Sequence, residues 1–265
     1  MGVLNVTPDS FSDGGCFPDL EAALAQARRL IAEGADVLDV GGESTRPGAA
    51  PIALSDEFAR VIPVIEAVRR ESAIPISIDT MKPGLARAAI GAGATLWNDV
   101  TALAFSGESL AVAAELGCEV VLMHMQGEPR TMQAAPRYDD VVADVRRHLA
   151  ARADAAMAAG VLRERIWLDP GLGFGKTARH TLELLRNLRR LVDLGFPVLV
   201  GASRKSFIAR SAGDRSGERQ RLGGSLAAAM AAARAGAAMV RVHDVAETVQ
   251  ALAVEAAIGE APPPS

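Results

Sequence analysis

The residues able to do chemistry in this 265-residue sequence recur at the polar ends of short apolar runs. In chain order they are Asn5, Asp39 with Thr45 and Arg46, Asp79, Asn98 with Asp99, His124, Asp169, Ser203 with Arg204 and Lys205, and Arg241 with His243. One strand-end Asp is as readily a helix cap or a buried hydrogen-bonding group. A polar group at every one of eight ends points instead to a shared site. Arg241 and His243 stand two apart and so face alike on a strand. That pairing suits a phosphate or diphosphate, because guanidinium takes phosphate oxygens bidentately and imidazole adds a donor. The plainer alternative is a strand-end Arg paired with an acid such as Asp244. Asp79, Asn98 and Asp169 supply acceptors and a donor matched to the amide and amino edge of a pterin or purine-like ring.

Several neighbouring patterns fail stricter tests. The loop from Asp169 to Thr177 is not a nucleotide P-loop, since Pro170 stands where its first Gly is required. Its glycines are expected to let backbone approach a flat ligand beside Asp169 and Phe174. Gly201 to Ser206 misses the hydrolase nucleophile elbow because Lys205 replaces the second Gly. Lys205 could form a Schiff base or act as a charged donor toward a heterocycle. The histidines and cysteines form no ligand cluster, so a metal here would be a hard cation held by Asn5 and ligand phosphates. Cys16 and Cys118 read as ordinary thiols. Asn5 to Gly15 forms a dense polar loop after the first apolar run, rich in turn residues.

These groups need a scaffold that gathers strand ends. Strands are expected at Gly2 to Leu4, Val37 to Val40, Pro75 to Ile78, Thr95 to Trp97, Glu119 to Met123, Arg165 to Leu168, Pro197 to Val200 and Ala238 to Arg241. Helical stripes lie between them: Leu20, Leu24, Ala27 and Ile31; Phe58, Ile62 and Ile65, with a kink or late start at Pro63; and Leu182, Leu185, Leu188 and Val192. Gly34, Gly93, Gly117, Gly160, Gly195 and Gly236 fall at helix ends. Eight βα units make a single α/β domain, a (β/α)8 TIM barrel over residues 1–258, with an open doubly wound sheet as the fallback. Residues 259–265 are expected to be a disordered C-terminal tail. The chain is 49% hydrophobic and 23% charged with net charge -4, which argues against nucleic acid as a partner. No apolar run is long enough to cross a bilayer and no signal peptide is recognisable, so the cytoplasm is the expected compartment. Gly223 to Ala235 is an Ala-rich stretch that suits a core-facing helix or a subunit contact.

Eight segments together resemble dihydropteroate synthases: Met1 to Gly15, Asp39 to Gly48, Ser77 to Thr80, Asn98-Asp99, Met123 to Met125, Asp169 to Lys176, Ser203 to Ser206 and Arg241 to Asp244. The resemblance spans essentially the whole chain in the family's order. It implies a TIM barrel that condenses 6-hydroxymethyl-7,8-dihydropterin diphosphate with 4-aminobenzoate, giving 7,8-dihydropteroate and diphosphate in folate biosynthesis. It further implies that Asp79, Asn98, Asp169 and Lys205 hold the pterin, in a slot lined by Val100, Met123, Phe174 and Gly201. Thr45, Arg46, Arg241 and His243 would hold the diphosphate, and Asn5 its Mg2+. Phe11, Pro47, Lys205 and Ser206 would form the 4-aminobenzoate site, where sulfonamides compete, and a homodimer is implied. Family members usually carry residues before the first strand, whereas this sequence opens on it. A methyltetrahydrofolate corrinoid methyltransferase would share the pterin ligands without needing a diphosphate site. A non-catalytic pterin-binding paralogue is the other alternative.

Overall fold

The computed structural model describes residues 1–6, 16–45, 48–213 and 221–260. Its strands are β1 (Gly2–Asn5), β2 (Leu38–Gly41), β3 (Ile76–Asp79), β4 (Leu96–Asp99), β5 (Glu119–Met123), β6 (Ile166–Asp169), β7 (Leu199–Val200) and β8 (Met239–Val240). Helices α1 (Cys16–Ala32), α2 (Leu54–Glu71), α3 (Pro83–Gly91), α4 (Ser109–Leu116) and α5 (Val141–Ala158) each follow one strand. After β6 come α6 (Ala178–Arg186) and α7 (Arg189–Val192), after β7 come α8 (Ser206–Ala212) and α9 (Leu222–Arg234), and α10 (Val245–Glu260) ends the fold.

Strands β1 to β6 pair in sequence order, and β7 pairs with β8, all in parallel. Parallel bridges from Leu168 to Val198 and from Gly2 to Val242 join the two sets into a ring. At the closing seam the Val3 N–H donates to the Val242 carbonyl, and the Val242 N–H to that of Met1, each at 3.0 Å. The terminal ammonium of Met1 donates to the Val240 carbonyl at 3.0 Å. A parallel sheet that returns to its own first strand exposes no edge, which makes this a TIM barrel and rules out the open sheet.

Alternation along the strands divides the apolar side chains between two cores. Leu4, Leu38, Val40, Ile76, Ile78, Trp97, Leu122, Ile166, Leu168 and Val200 pack outward in the larger core, under the helices. Met1, Val37, Leu96, Val121 and Leu199, with Trp167 and Met239, form a separate smaller cluster, which the alternation puts inside the barrel. The same parity points Asn5, Asp39, Asp79, Asn98, Met123, Asp169, Gly201 and Arg241 inward. Asp99 and His124 fall on the outward parity.

All eight expected strands are present, several shifted by one residue toward the C-terminus, because the parallel ladder continues through their terminal polar residues. Asn5 pairs with Gly41, Gly41 with Asp79, and Asp79 with Asn98, so one rung carries three of the expected site residues. Two helical stripes need correction. Helix α2 runs unbroken through Pro63, and its buried face is Glu57, Val61, Val64, Ile65 and Val68, leaving Phe58 40% exposed. In α6, Leu182 is 45% exposed while Leu184 is fully buried. That register follows from a capping box in which Thr177 accepts from the His180 N–H, and His180 Nδ1 accepts from the Thr177 N–H. The six glycines expected at helix ends all have positive φ. Helix α10 extends to Glu260 and so includes the first two residues of the segment expected as a tail, while 261–265 lie outside the described residues. Among the described residues no helix is long and apolar enough to cross a membrane.

The corrected face of α6 is testable by urea denaturation. Leu184→Ala is expected to lower stability by about 2–5 kcal/mol, and Leu182→Ala by less than about 1 kcal/mol. Equal effects would return Leu182 to the core.

Candidate active site

The centre of the barrel mouth is an ion-pair bridge across the interior. Arg241, following β8, donates from Nε to Asp39 Oδ2 at 2.5 Å and from Nη2 to Asp79 Oδ2 at 2.8 Å. Asp39 is fully buried, and Asn98 Nδ2 lies 3.3 and 3.5 Å from its two oxygens. Burial opposes the charge of Arg241, but Asp39 and Asp79 outweigh it and hold the guanidinium above its ordinary pKa. Burial pushes the Asp79 carboxyl up to about 7, with Arg241 opposing that rise and Asp39 adding to it. Asp79 Oδ1 is buried without a hydrogen-bond partner, which leaves an acceptor unused within the protein. Gly41 lies between the Asn5 and Asp79 side chains of this rung. A Cβ there would lie 3.7 Å from Asp79 Oδ2 and 3.8 Å from Asn5 Oδ1, so both oxygens flank the same bare backbone.

Asp169 and Lys205 form the opposite wall. Asp169 is 5% exposed, and its Oδ1 accepts from the Gly171 N–H at 2.7 Å. Burial raises its pKa, opposed chiefly by Lys205. Burial lowers Lys205 to about 8, with Asp169 working the other way. The Lys205 ammonium donates to the Leu172 carbonyl and stands 4.7 Å from the centre of the Phe174 ring, a cation–π arrangement. Gly201 is buried, and a Cβ there would come 3.8 Å from both Lys205 Nζ and Arg241 Cβ. Val100 and Met123 are buried too.

Glycines 171 and 175 serve a different purpose from the one expected. Both have positive φ, and a Cβ would meet the His124 carbonyl oxygen at 1.9 Å from Gly171 and that of Gln126 at 2.3 Å from Gly175. They let the loop after β6 lie on the loop after β5 rather than on a ligand; Gly173, whose Cβ would meet Lys205 Cδ at 3.4 Å, is the one beside the site. Buried Lys176 ties the two loops, donating to the carbonyls of His124 and Phe174 at 3.1 and 3.0 Å and lying 2.9 Å from His124 Nδ1. His124 is therefore a loop-packing residue, and burial depresses its pKa to about 2. Asp99 is equally structural: its carboxylate accepts from the Thr101 and Leu103 N–H groups at 2.7 and 2.9 Å.

His243 is fixed by Ser203, whose Oγ accepts from the His243 N–H at 3.2 Å and lies 3.0 Å from its Nδ1. The two contacts hold the imidazole in one orientation at the end of β8. Arg204 adopts φ 58, a conformation costing about 1–2 kcal/mol. Its N–H donates to Ser225 Oγ, its carbonyl accepts from Arg221, and its guanidinium pairs with Asp244. This strained turn directs Lys205 into the site. Asp244 therefore pairs with Arg204 and not with Arg241. Ser206 is exposed as the first residue of α8, and Thr45 is partly buried in the loop after β2. Phe11, Arg46 and Pro47, with the rest of the opening loop, lie outside the described residues.

A cleft of about 700 Å³ opens among the loops after β2 to β5, lined in part by Ser44, Met81, Val100, Phe105 and Met123. Asp79, Asn98 and Asp169 are not among its lining residues, so it adjoins the ion-pair bridge rather than containing it. The sequence reading missed three residues beneath the loop after β2: Glu43, Glu57 and Lys82. Lys82 Nζ donates to Glu43 Oε2 at 2.7 Å, to Glu57 Oε2 at 2.6 Å and to the Ile52 carbonyl at 2.9 Å. A signal was available for Glu57, which sits at the start of an apolar i, i+4 stripe continued by Val61.

This arrangement has close counterparts. The family model for pterin binding enzymes matches residues 1–243. Dihydropteroate synthase of Escherichia coli is 49% identical over 254 residues, covering 96% of this chain and 89% of that protein. The Xanthomonas albilineans dihydropteroate synthase, solved with 4-aminobenzoic acid, superposes with a TM-score of 0.93 at 51% identity, covering 99% of this chain and 93% of that one. In complex with 7,8-dihydropteroate the same enzyme gives a TM-score of 0.90 at 48% identity, covering 99% and 94%. The Yersinia pestis dihydropteroate synthase in a sulfonamide drug complex gives 0.92 at 45% identity, covering 98% and 94%. The chain thus belongs to the pterin-binding enzyme family, among its dihydropteroate synthases.

Proposed function

We propose that the barrel mouth carries out the synthase reaction with the ring of inward polar groups holding 6-hydroxymethyl-7,8-dihydropterin diphosphate while 4-aminobenzoate attacks. The observation that carries this is the convergence of Asp79, Asn98, Asp169, Lys205 and Arg241 on one inward-facing mouth. The unpartnered Asp79 Oδ1 supports a pterin N–H donor. Phe174 under the Lys205 ammonium supports a flat ring stacked nearby. Val100, Met123 and Gly201 would complete the slot.

The diphosphate belongs with Arg241, His243 and Thr45. Arg241's bonds to Asp39 and Asp79 engage two of a guanidinium's five N–H donors, so an anion can be met without breaking either pair. The His243 imidazole, held by Ser203, would add a donor. Asn5 Oδ1, beside Gly41, offers one hard oxygen, and no cluster of three His, Cys, Asp or Glu able to hold a metal occurs among the described residues. That donor set fits Mg2+ bound mainly through substrate phosphates and water, which would neutralise charge on the departing diphosphate. Arg241 and His243 stabilise the same developing charge. Bond cleavage ahead of attack leaves a pterin cation for the neutral amine to capture, which needs no strong base. Lys205 and Ser206 stand where the second substrate would enter, and a sulfonamide would compete there. The homodimer and a cytoplasmic location belong to this proposal through the family likeness alone.

Diphosphate release, measured with the pterin diphosphate, Mg2+ and 4-aminobenzoate and with each omitted in turn, tests the reaction. Release that is unaffected by leaving out the amine would point to simple hydrolysis. Asp79→Ala is expected to weaken pterin binding about 10–100-fold; undiminished affinity would remove Asp79 from the site.

The titrating groups give a second test. Asp79 gains a proton as pH falls through about 7 and ceases to be a full acceptor. Lys205 loses its proton as pH rises through about 8 and gives up its charge. Pterin affinity measured by calorimetry should therefore be greatest between these values and fall on both sides. Asp79→Asn should flatten the acidic limb and Lys205→Met the basic one. A wild-type profile level from about pH 5.5 to about pH 9 would contradict both assignments.

A further inference from the structure

Resting on that reading of the site, we infer that Glu43, Lys82 and Glu57 are positioning residues that brace the loop after β2, and that they set how well Thr45 on this loop serves the diphosphate of the first substrate. The loop leaves β2 at Gly41 and enters α2 at Leu54, carrying Thr45 on its way. Its two arms are tied at one residue. The Ile52 N–H donates to Glu43 Oε1 at 3.1 Å, and the Ile52 carbonyl accepts from Lys82 Nζ at 2.9 Å. The same ammonium reaches Glu43 Oε2 at 2.7 Å and Glu57 Oε2 at 2.6 Å. One lysine, arriving from the β3–α3 connection, thus binds both arms of the loop and the helix that follows it.

The surroundings make this brace stiff. The Glu57 and Glu43 side chains are 0% and 6% exposed and that of Lys82 is 13% exposed, so water competes little for their charges. Arg60 donates to the Gly42 carbonyl at 2.9 Å, and a Cβ at Gly42 would come 2.7 Å from Val61 Cγ1, which fixes the loop's departure against α2. Lys82 also stands three residues after Asp79, and its N–H donates to Thr80 Oγ1 at 3.2 Å. The brace therefore refers the β2 loop to the strand that carries the pterin carboxylate. None of the three residues belongs to the set proposed to touch the pterin ring, so their removal should disturb the diphosphate end of the first substrate and spare the ring.

The test uses two variants of the whole chain. Glu43→Ala removes the bond to Ile52 and leaves Lys82 paired with Glu57. Glu43→Gln and Glu57→Gln combined with Lys82→Met remove the ammonium without stranding a buried carboxylate. In both, amide exchange at Ile52 should quicken about tenfold or more, and KM for the pterin diphosphate should rise about tenfold with kcat within about threefold. Affinity for 6-hydroxymethyl-7,8-dihydropterin lacking the diphosphate should stay within about twofold of wild type. Unchanged exchange at Ile52, or a loss of pterin affinity matching the rise in KM, would overturn the brace. Should the wild-type protein release no diphosphate with both substrates present, the functional reading fails first, while exchange at Ile52 still judges the brace on its own.

Discussion

The bridge from Arg241 to Asp39 and Asp79 is the interaction on which the rest of the mouth depends. Three carboxylates, Asp39, Asp79 and Asp169, face into the end of one barrel, all buried or nearly so. Removing one partner from a buried pair typically costs about 3–5 kcal/mol, because the remaining charge is left without compensation. Arg241 meets two of the three at once, and it can do so only because the last strand returns to the first. The bridge between Gly2 and Val242 sets β8 beside β1, from which the Arg241 side chain reaches across the interior to β2 and β3. Barrel closure and site electrostatics are thus one constraint: the seam that abolishes the sheet edge also delivers the cation.

The fold was legible because its signals are local. Eight apolar runs, six terminal glycines and the stripes between them need no long-range information. Inward and outward direction is legible as well, from parity along each strand. Asp99 follows Asn98 by one residue and must face the opposite way, and His124 follows Met123 in the same manner. Counting parity from the buried outward residues Trp97 and Leu122 would have separated the ligand candidates from the loop-holding ones. Register in α6 was not available to that counting. Leu182 and Leu184 fit neighbouring stripes equally well, and the capping interaction between Thr177 and His180 decided between them.

What the sequence could not supply is which polar groups find each other across the barrel. Asp244 looked like a partner for Arg241, two positions away from its neighbour on the strand, yet it pairs with Arg204 across 40 residues. The glycines of the loop after β6 looked like room for a ligand. Two of them are room for the carbonyls of His124 and Gln126, and they set the height at which Phe174 and Lys205 meet. In each case local chemistry named a capable residue, while partner choice depended on strand spacing around a closed ring.

The charge balance of the mouth also says what must accompany the first substrate. Against three inward carboxylates stand two cations, Arg241 and Lys205, and burial already lifts Asp79 to about 7. A diphosphate brought near Asp79 adds like charge and favours protonation of the carboxylate that should accept from the pterin. In the proposed site the donors that Arg241 keeps beyond its two ion pairs, with His243 held by Ser203, would oppose that drift by taking the anion's charge while Arg241 still grips Asp79. Pterin recognition and leaving-group stabilisation are then not separate duties of separate residues. In the proposed reaction they meet in one guanidinium, whose hold on Asp79 opposes protonation of the acceptor while its remaining donors would draw off the charge that leaves.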